Sequence, residues 1–145
     1  MMEYILPLDI RWSDLDPNFH MRHSVYYDYG AFSRVSFMEQ AGLTTQLMHE
    51  LHMGPILFRE EAVFRKEIIQ GDKLTIDIRL LKTKSNFSRW SIRHRLVKNK
   101  ETLAAVITVD GAWLDTRARK LATPPAKVQE VFLQMPRTDD FEWVL

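Results

Sequence analysis

The sequence predicts an α+β fold in which a curved antiparallel β-sheet wraps around one long α-helix. The order of elements is the first indication, since one strand and a long helix precede four successive strands and a short final helix. Strict alternation of apolar and polar residues in two strands is the second, because it is typical of a sheet with one face on the core. The third is a helix that is apolar on most sides, as a buried helix is.

The composition fits one globular domain and excludes several classes of protein. The chain has 145 residues, which is enough to bury a substantial core. We expect one domain over residues 1–145, with its core at about 3–117 and a C-terminal helix and tail at 118–145. A net charge of +1 provides no general attraction for nucleic acid or an anionic membrane. Because there is no cysteine, disulfides, thiolate zinc sites and cysteine nucleophiles are excluded.

The N-terminal segment MMEYILPLDI predicts a strand and no targeting signal. Alternate residues from Tyr4 to Trp12 are apolar, so a first strand is expected over residues 3–12, and Pro7 favours an edge position. The segment has no basic region and only a short apolar run, unlike a signal peptide. No stretch reaches the length of a membrane span, and we expect a cytoplasmic protein without membrane contact.

The long helix is predicted from about Ser24 to Gln40. Serine is a favoured helix N-cap, and Gly42 is typical of the position just after a helix end. Apolar residues occur on most sides of this helix with small residues between them, so we expect it to be buried. A shorter helical segment is predicted from Thr44 to Leu51.

Four strands are predicted next, over residues 56–67, 73–84, 87–98 and 102–115. The two that alternate strictly are expected to turn these residues toward the core: Leu74, Ile76, Ile78, Leu80, Trp90, Ile92, His94 and Leu96. Gly71-Asp72 marks a tight turn, Asn99-Lys100 a two-residue hairpin, and Gly111 a bend or bulge. A final helix is predicted from Thr123-Pro124-Pro125 to about Met135, followed by a tail that either packs or is disordered.

The segment from Trp12 to Arg34 contains the residues that best suit catalysis. Asp16 precedes Pro17, which disfavours helical backbone at Asp16 and therefore predicts a loop. A helix N-terminus follows near His23, and the first N–H groups of a helix have no acceptor within it. A carboxylate beside free N–H donors suits a carbonyl substrate, because one group attacks or deprotonates while the other stabilises negative charge on oxygen.

These residues resemble the hotdog-fold acyl-CoA thioesterases, in particular the 4-hydroxybenzoyl-CoA thioesterase-type family. That family opens with a strand, an aromatic residue, a D-x-D segment, a histidine or aromatic residue near the helix start and a Y-x-x-Y/F pattern. The matching residues are Trp12, Asp14-Leu15-Asp16, His23, Tyr26 and Tyr29. The match continues over roughly residues 3–117 through Arg34, Gly42, Phe64-Arg65 and Gly71-Asp72.

The resemblance implies a hotdog fold and hydrolysis of an acyl-CoA thioester. By position, Asp16 matches the catalytic carboxylate, which acts as nucleophile or as general base on water. The backbone N–H of His23 matches the donor that polarises the thioester carbonyl, and its side chain matches a histidine that one bacterial branch uses. The expected substrate-binding residues are Trp12, Tyr26, Lys84 and Arg89, the last two for CoA phosphates. No metal and no cofactor are expected.

Two departures from the family pattern concern the site. Trp12 stands where the bacterial branch has tyrosine, which removes a hydroxyl group. Pro17-Asn18-Phe19-His20 replaces a glycine-rich spacer, so a different loop path and acyl pocket are expected. Because hotdog sites of this kind lie at a dimer interface, the resemblance implies a homodimer or a dimer of dimers.

Several of these residues also have a structural explanation. Asp16 is of a type common in turns, Asp14 suits a local turn acceptor, and His94 suits a core histidine with a backbone partner. His20 and His23 have H-x-x-H spacing beside two carboxylates, which is a weak signal for a metal site.

Two further functions remain open from the sequence. Asp16-Pro17-Asn18-Phe19-His20 superficially resembles the Asp-x-Asn-Pro-x-His site of hotdog hydratases and dehydratases that act on acyl-CoA or acyl-carrier protein. However, Pro and Asn are exchanged and the Asp–His separation is four rather than five. A non-catalytic acyl-binding module would use the same groove with Asp16 as a structural residue. The sequence does not decide acyl chain length, aromatic or aliphatic preference, or CoA against carrier protein.

Overall fold

The computed structural model describes residues 3–144, which form one β-sheet, three α-helices and a short 3₁₀ helix. The strands are β1 (Ile5–Leu8), β2 (Met53–Phe64), β3 (Leu74–Asp77), β4 (Arg79–Lys84), β5 (Arg89–Lys98), β6 (Thr102–Asp115), β7 (Lys120–Leu121) and β8 (Arg137–Val144). The helices are α1 (Val25–Gln40), α2 (Thr45–Leu51) and α3 (Ala126–Gln134), and the 3₁₀ helix is Trp12–Asp14. None of these helices is long and apolar enough to cross a membrane. The predicted domain, residues 1–145, includes Met1, Met2 and Leu145, and the N-terminal segment includes the first two. These three residues lie outside the described residues.

Strands β5 and β6 form the centre of the sheet. β6 also pairs with β2 and, near its end, with β7. β5 also pairs with β3 and β4, which are separated only by Ile78, and β1 and β8 pair with the outer sides of β3 and β4. All these pairs are antiparallel except β4–β8. The predicted antiparallel sheet is therefore confirmed, but it also has a parallel edge strand where the sequence predicted only a tail.

The two strictly alternating strands bury the face predicted for them. Ile76, Leu80, Ile92, His94 and Leu96 are all buried, and the apolar ones belong to a single core cluster with residues of α1 and α3. Alternation with a period of two residues thus identified the core face of the sheet.

Helix α1 ends as the sequence predicted, because of Gly42. Gly42 has a φ of +93°, which an L-residue with a side chain rarely adopts. Its N–H donates to the Glu39 carbonyl at 3.1 Å, and the Leu43 N–H donates to the Met38 carbonyl at 2.8 Å. These two bonds satisfy carbonyls at the end of the helix in a Schellman motif.

The predicted N-cap and the predicted burial of α1 are only partly correct. Ser24 is at the N-cap position, but its hydroxyl makes no capping bond and instead accepts from the Arg22 guanidinium at 2.8 Å. Phe32 and Val35 on α1 are exposed, so the helix is not buried on all sides within one chain. Residues of α2 and α3 also pack on the core, so α1, although the longest, is not its only helix.

Three local predictions were wrong in position. The first strand is only Ile5–Leu8, because Trp12 belongs to the 3₁₀ helix, and β2 begins at Met53 rather than Ile56. The irregularity expected at Gly111 lies on the facing strand, between Leu57 and Arg59. Gly111 is required for another reason, since a Cβ there would lie 2.6 Å from the Ile56 carbonyl oxygen and would overlap the Trp90 ring.

The connections on either side of β6 also differ from the prediction in detail. Three residues, not two, separate the paired Lys98 and Thr102, and both Asn99 and Lys100 have positive φ. The final helix starts at Ala126, with Pro125 at its N-cap. The predicted tail is ordered as β8, and its Trp143 ring packs edge-on against Phe87.

Candidate active site

The loop after the 3₁₀ helix closes on the carboxylate of Asp16. The Asp16 N–H donates to the His20 carbonyl at 2.8 Å, and the Phe19 N–H donates to the Asp16 carbonyl at 2.9 Å. The side-chain Oδ1 of Asp16 accepts from the backbone N–H groups of Asn18 and His20 at 2.8 and 3.2 Å. No donor among residues 3–144 bonds to Oδ2, so one oxygen is fixed and the other is available to a substrate or water. The turn predicted by the Asp-Pro sequence is therefore present, and it holds this carboxylate in one orientation.

Asp14 anchors the same loop to α1 from inside the protein. Its buried carboxylate accepts from the Arg11 backbone N–H at 3.0 Å, from the Arg11 guanidinium at 2.8 Å and from the Tyr29 hydroxyl at 2.9 Å. Its backbone carbonyl accepts from the Arg22 N–H at 2.7 Å. Burial opposes ionisation of Asp14, but the bonds from Arg11 and Tyr29 outweigh it and lower its pKa. The predicted role of Asp14 as a local acceptor is confirmed.

His23 lies in the turn that starts α1. The Val25 N–H donates to the Arg22 carbonyl at 3.1 Å, so His23 and Ser24 form the turn between them. The His23 N–H has no acceptor among residues 3–144, and its imidazole is exposed. A free N–H at a helix start can bind an oxyanion or a polarised carbonyl oxygen.

An open cleft of about 360 Å³ brings the predicted residues together. It is lined by Asp16, His20, Met21, His23, Tyr26, Phe64, Arg65, Lys66 and Glu67. Burial and, to a smaller extent, the Asp16 carboxylate raise the pKa of Tyr26, so its hydroxyl stays protonated and can donate a hydrogen bond. Asp16, His23 and Tyr26, chosen from the sequence, thus share one cleft.

Residues 64–67 form the wall of the cleft that sequence reasoning did not assign to the site. The Phe64 ring packs edge-on against Tyr26, with ring centroids 4.8 Å apart. The imidazole of His20 contacts the Glu67 carboxylate at 2.9 Å, and His20 forms a β-bridge with Ile69. The sequence did contain a signal for this wall, because Phe64-Arg65 was part of the family resemblance. The fold is needed to place these residues in the same cleft as Asp16.

The other predicted binding residues do not line this cleft within one chain. Trp12 is 81% exposed on the 3₁₀ helix and is not among the lining residues. Arg89 pairs with Ala112, whereas Phe64 pairs with Ala105, seven residues away along β6. At about 3.4 Å per residue, this separation along the sheet is about 24 Å. Lys84, at the end of β4, lies at the same end of the sheet as Arg89.

His94 is the core histidine that the sequence predicted. Its Nδ1 lies 2.8 Å from the Asp77 carbonyl, and its Nε2 lies 3.1 Å from the Arg34 guanidinium. Since Arg34 can only donate, Nδ1 carries the proton and Nε2 accepts. Burial, with a further contribution from Arg34, lowers the pKa of His94 to about 3, so this imidazole stays neutral at pH 7.

A second cavity of about 160 Å³ lies between the sheet, α1 and α3. Its lining is apolar except for Arg34, and it is bounded by Ala31, Val35, Met38, Pro55, Leu57, Ile78, Trp90, Ile92, Phe132 and Met135. Val35 and Leu57 are exposed, so the cavity reaches the surface between α1 and β2.

No group of three or more potential metal ligands occurs within residues 3–144, which leaves His20 and His23 without a full ligand set.

Comparison with known proteins identifies the family. The sequence profile of the thioesterase-like superfamily matches residues 10–132, most of the chain. The chain belongs to the thioesterase-like superfamily. The predicted resemblance to hotdog-fold thioesterases is therefore confirmed. A search of curated protein sequences found no match for this thioesterase-like protein.

Solved structures agree with the fold of this thioesterase-like protein. A hypothetical protein of Staphylococcus aureus in complex with CoA has a TM-score of 0.82 at 17% identity, with 94% of this chain and 88% of that chain covered. A 1,4-dihydroxy-2-naphthoyl-CoA thioesterase from Synechocystis has a TM-score of 0.80 at 14% identity, with 92% and 97% covered. A thioesterase from Thermus thermophilus complexed with coenzyme A and Zn has a TM-score of 0.72 at 23% identity, with 88% and 90% covered. At these identities the likeness establishes the fold alone.

Proposed function

We propose that this protein hydrolyses acyl-CoA thioesters, with Asp16 as the catalytic carboxylate. One observation carries the proposal: Asp16 and His23 line the same cleft, and within residues 3–144 neither Oδ2 of Asp16 nor the backbone N–H of His23 has a hydrogen-bond partner. The superfamily and the CoA complexes of structurally similar proteins support this class of substrate.

In the proposed reaction the thioester carbonyl oxygen accepts a hydrogen bond from the His23 N–H. Asp16 then either removes a proton from water as the water oxygen bonds to the carbonyl carbon, or attacks that carbon itself and forms an anhydride that water hydrolyses. Negative charge develops on the carbonyl oxygen in both routes, where the N–H donor stabilises it. The C–S bond breaks when the carbonyl re-forms, and the thiolate of CoA takes up a proton. The products are a free acid and CoA.

We also propose that the active protein is a homodimer formed through β2. Within residues 3–144, β2 pairs only with β6, so its other edge has free N–H and C=O groups. Beside this edge, β2 and α1 carry six large apolar side chains that are between 39% and 53% exposed, together called the β2/α1 strip: Phe32, Val35, Leu57, Phe58, Val63 and Phe64. A long edge strand bordered by exposed apolar side chains is an aggregation hazard unless another chain or element covers it. A second copy paired antiparallel along β2 covers both the edge and the strip.

This pairing also unites the two separated parts of the predicted site. If two β2 strands pair about their midpoint, Met53 faces Phe64 of the partner subunit. The end of the sheet that carries Arg89 then comes level with the partner's cleft, and the Arg89 guanidinium already lies 5.2 Å above the Phe58 ring on that strand. Lys84 and Arg89 are proposed to bind the CoA phosphates for the cleft of the partner subunit. Trp12 is proposed to contact substrate at the rim of the cleft. We further propose that two dimers form a dimer of dimers. The protein is proposed to be cytoplasmic, where acyl-CoA is made and used.

Release of free thiol from acyl-CoA is the experiment that tests the function. Purified protein is supplied with a panel of short, long and aromatic acyl-CoAs, and the thiol is measured continuously with a chromogenic disulfide. We expect turnover of at least one member. A hydratase or dehydratase changes the acyl group without releasing thiol, and an acyl-binding module binds without turnover, so either result would contradict the proposal.

A further inference from the structure

Arg34 places a positive charge at an otherwise apolar cavity. Arg34 is only 9% exposed, and the other side chains around the cavity are aliphatic, aromatic or thioether groups. The guanidinium extends past Gly30, where an added Cβ would lie 3.2 Å from the Arg34 Nη1. A buried guanidinium needs acceptors, because a charge in an apolar setting is costly unless it is paired.

The acceptors that Arg34 has within the described residues are few. One hydrogen bond joins its Nη1 to the Nε2 of neutral His94. The Glu60 carboxylate is 4.0 Å from Nη2, beyond hydrogen-bond distance, and that side chain is 32% exposed. Burial lowers the pKa of Arg34 more than Glu60 raises it, so the charge is under-compensated. A guanidinium has five N–H donors, and most of those on Arg34 have no acceptor among residues 3–144.

The size of the cavity limits what can reach this charge. Its volume is about 160 Å³, and an engineered protein cavity of about 150 Å³ is known to bind benzene. The space therefore suits an apolar group of about six carbons. It reaches the surface at Val35 and Leu57, both in the β2/α1 strip. In the proposed β2 pairing this opening faces the partner subunit.

We propose that this cavity is a binding site for the acyl group, and that Arg34 selects acyl groups of about six carbons that end in a carboxylate. The inference rests on the proposed thioesterase function and on the proposed dimer. A carboxylate can accept two parallel hydrogen bonds from the guanidinium fork and supplies the opposite charge that the site lacks. Methylene groups of the acyl chain then pack on Met38, Trp90 and Ile92.

The test compares two acyl-CoAs of the same length, adipoyl-CoA and hexanoyl-CoA. In the unaltered protein we expect kcat/KM to favour adipoyl-CoA by about tenfold or more, the size typical of a hydrogen-bonded charge. Arg34→Met keeps an unbranched side chain and removes the charge, so this ratio should fall by about tenfold or more. Glu60→Gln removes the competing carboxylate, so the ratio should rise. Because each ratio is measured in one sample, it does not depend on the fraction of a variant that is folded.

Three results would overturn the inference. They are an adipoyl-to-hexanoyl ratio of one or less in the unaltered protein, a ratio unchanged by Arg34→Met, and a preference for 6-hydroxyhexanoyl-CoA over adipoyl-CoA. Isothermal titration of the same acyl-CoAs into Asp16→Asn gives a ratio of affinities that does not require turnover. If no acyl-CoA is hydrolysed, the proposed function fails, while the ratio of affinities still decides the role of Arg34.

Discussion

Replacing His23 by proline removes one backbone donor from the start of α1. The His23 N–H has no acceptor among residues 3–144, so its loss breaks no hydrogen bond in this part of the chain. Proline is favoured at the second position of a type I turn, and His23 holds that position in the turn closed by the Val25 N–H and the Arg22 carbonyl, just before the N-cap Ser24. We therefore expect the variant to fold while it lacks the donor assigned to the thioester oxygen.

The expected loss is large, and His23→Ala is the matched control. Removal of one oxyanion donor typically costs about 2.7–4 kcal/mol, which is a hundred- to thousandfold decrease in kcat. His23→Ala keeps the backbone N–H and removes only an exposed imidazole, so its kcat should fall moderately. Thiol release gives kcat for each variant, and thermal unfolding followed by circular dichroism shows whether both are folded.

Two outcomes would contradict the role assigned to the His23 N–H. Equal impairment of the two folded variants would mean that the imidazole, not the backbone, contributes to catalysis. If neither variant is impaired, the substrate carbonyl lies elsewhere and the placement of the site at the start of α1 is wrong.

Three other predictions follow from contacts in the structure. Asp14→Asn leaves donors of Arg11 without a charged acceptor, so urea unfolding should show that the free energy of unfolding falls by about 1–3 kcal/mol. Its kcat/KM should fall less than that of Asp16→Asn, and a larger fall would make Asp14 the catalytic acid. The pKa of His94 is about 3 in the folded protein and about 6.5 in the unfolded chain. Between these values only the unfolded chain binds a proton at this imidazole. The free energy of unfolding should therefore decrease from pH 6.5 toward pH 3, by up to about 1.4 kcal/mol per pH unit. His94→Gln should flatten this dependence, and an unchanged slope would assign it to other groups. Phe58→Asp places a charge in the β2/α1 strip, so sedimentation should show a monomer with little activity; a stable, active monomer of the unaltered protein would contradict the dimer.

The sheet was predictable from the sequence because its core strands alternate strictly. Ile76 and Leu80, like Ile92 and Leu96, follow a period of two that depends on no distant residue. The end of α1 was predictable for a similar reason, since Gly42 is a local signal of a helix end.

Strand β8 was missed because its pairing is not encoded locally. Asp139, Asp140 and Glu142 are exposed and give the segment the polarity of a tail. Its parallel pairing with β4 and the packing of Trp143 on Phe87 hold it as a strand. Such contacts between residues far apart in the chain cannot be inferred from a short pattern.

The candidate site was predictable only in the part that is contiguous in sequence. Asp16, His23 and Tyr26 lie within eleven residues, so a loop followed by a helix brings them together. Phe64 joins them through the fold. Arg89 was assigned to the same site from its charge, but the register of β5 and β6 places it at the other end of the sheet. In the proposed dimer it serves the partner's cleft instead.

Catalysis by Asp16 is tested by kcat/KM for Asp16→Asn with the best substrate of the acyl-CoA panel. Asparagine keeps the size of the side chain and can still accept the bonds from Asn18 and His20, but it cannot act as base or nucleophile. Asp139→Asn, the same change on an exposed residue of β8, is the control. We expect normal folding of both variants, a decrease of about a hundredfold or more for Asp16→Asn and little change for Asp139→Asn. Equal kcat/KM in the two folded variants would contradict catalysis by Asp16.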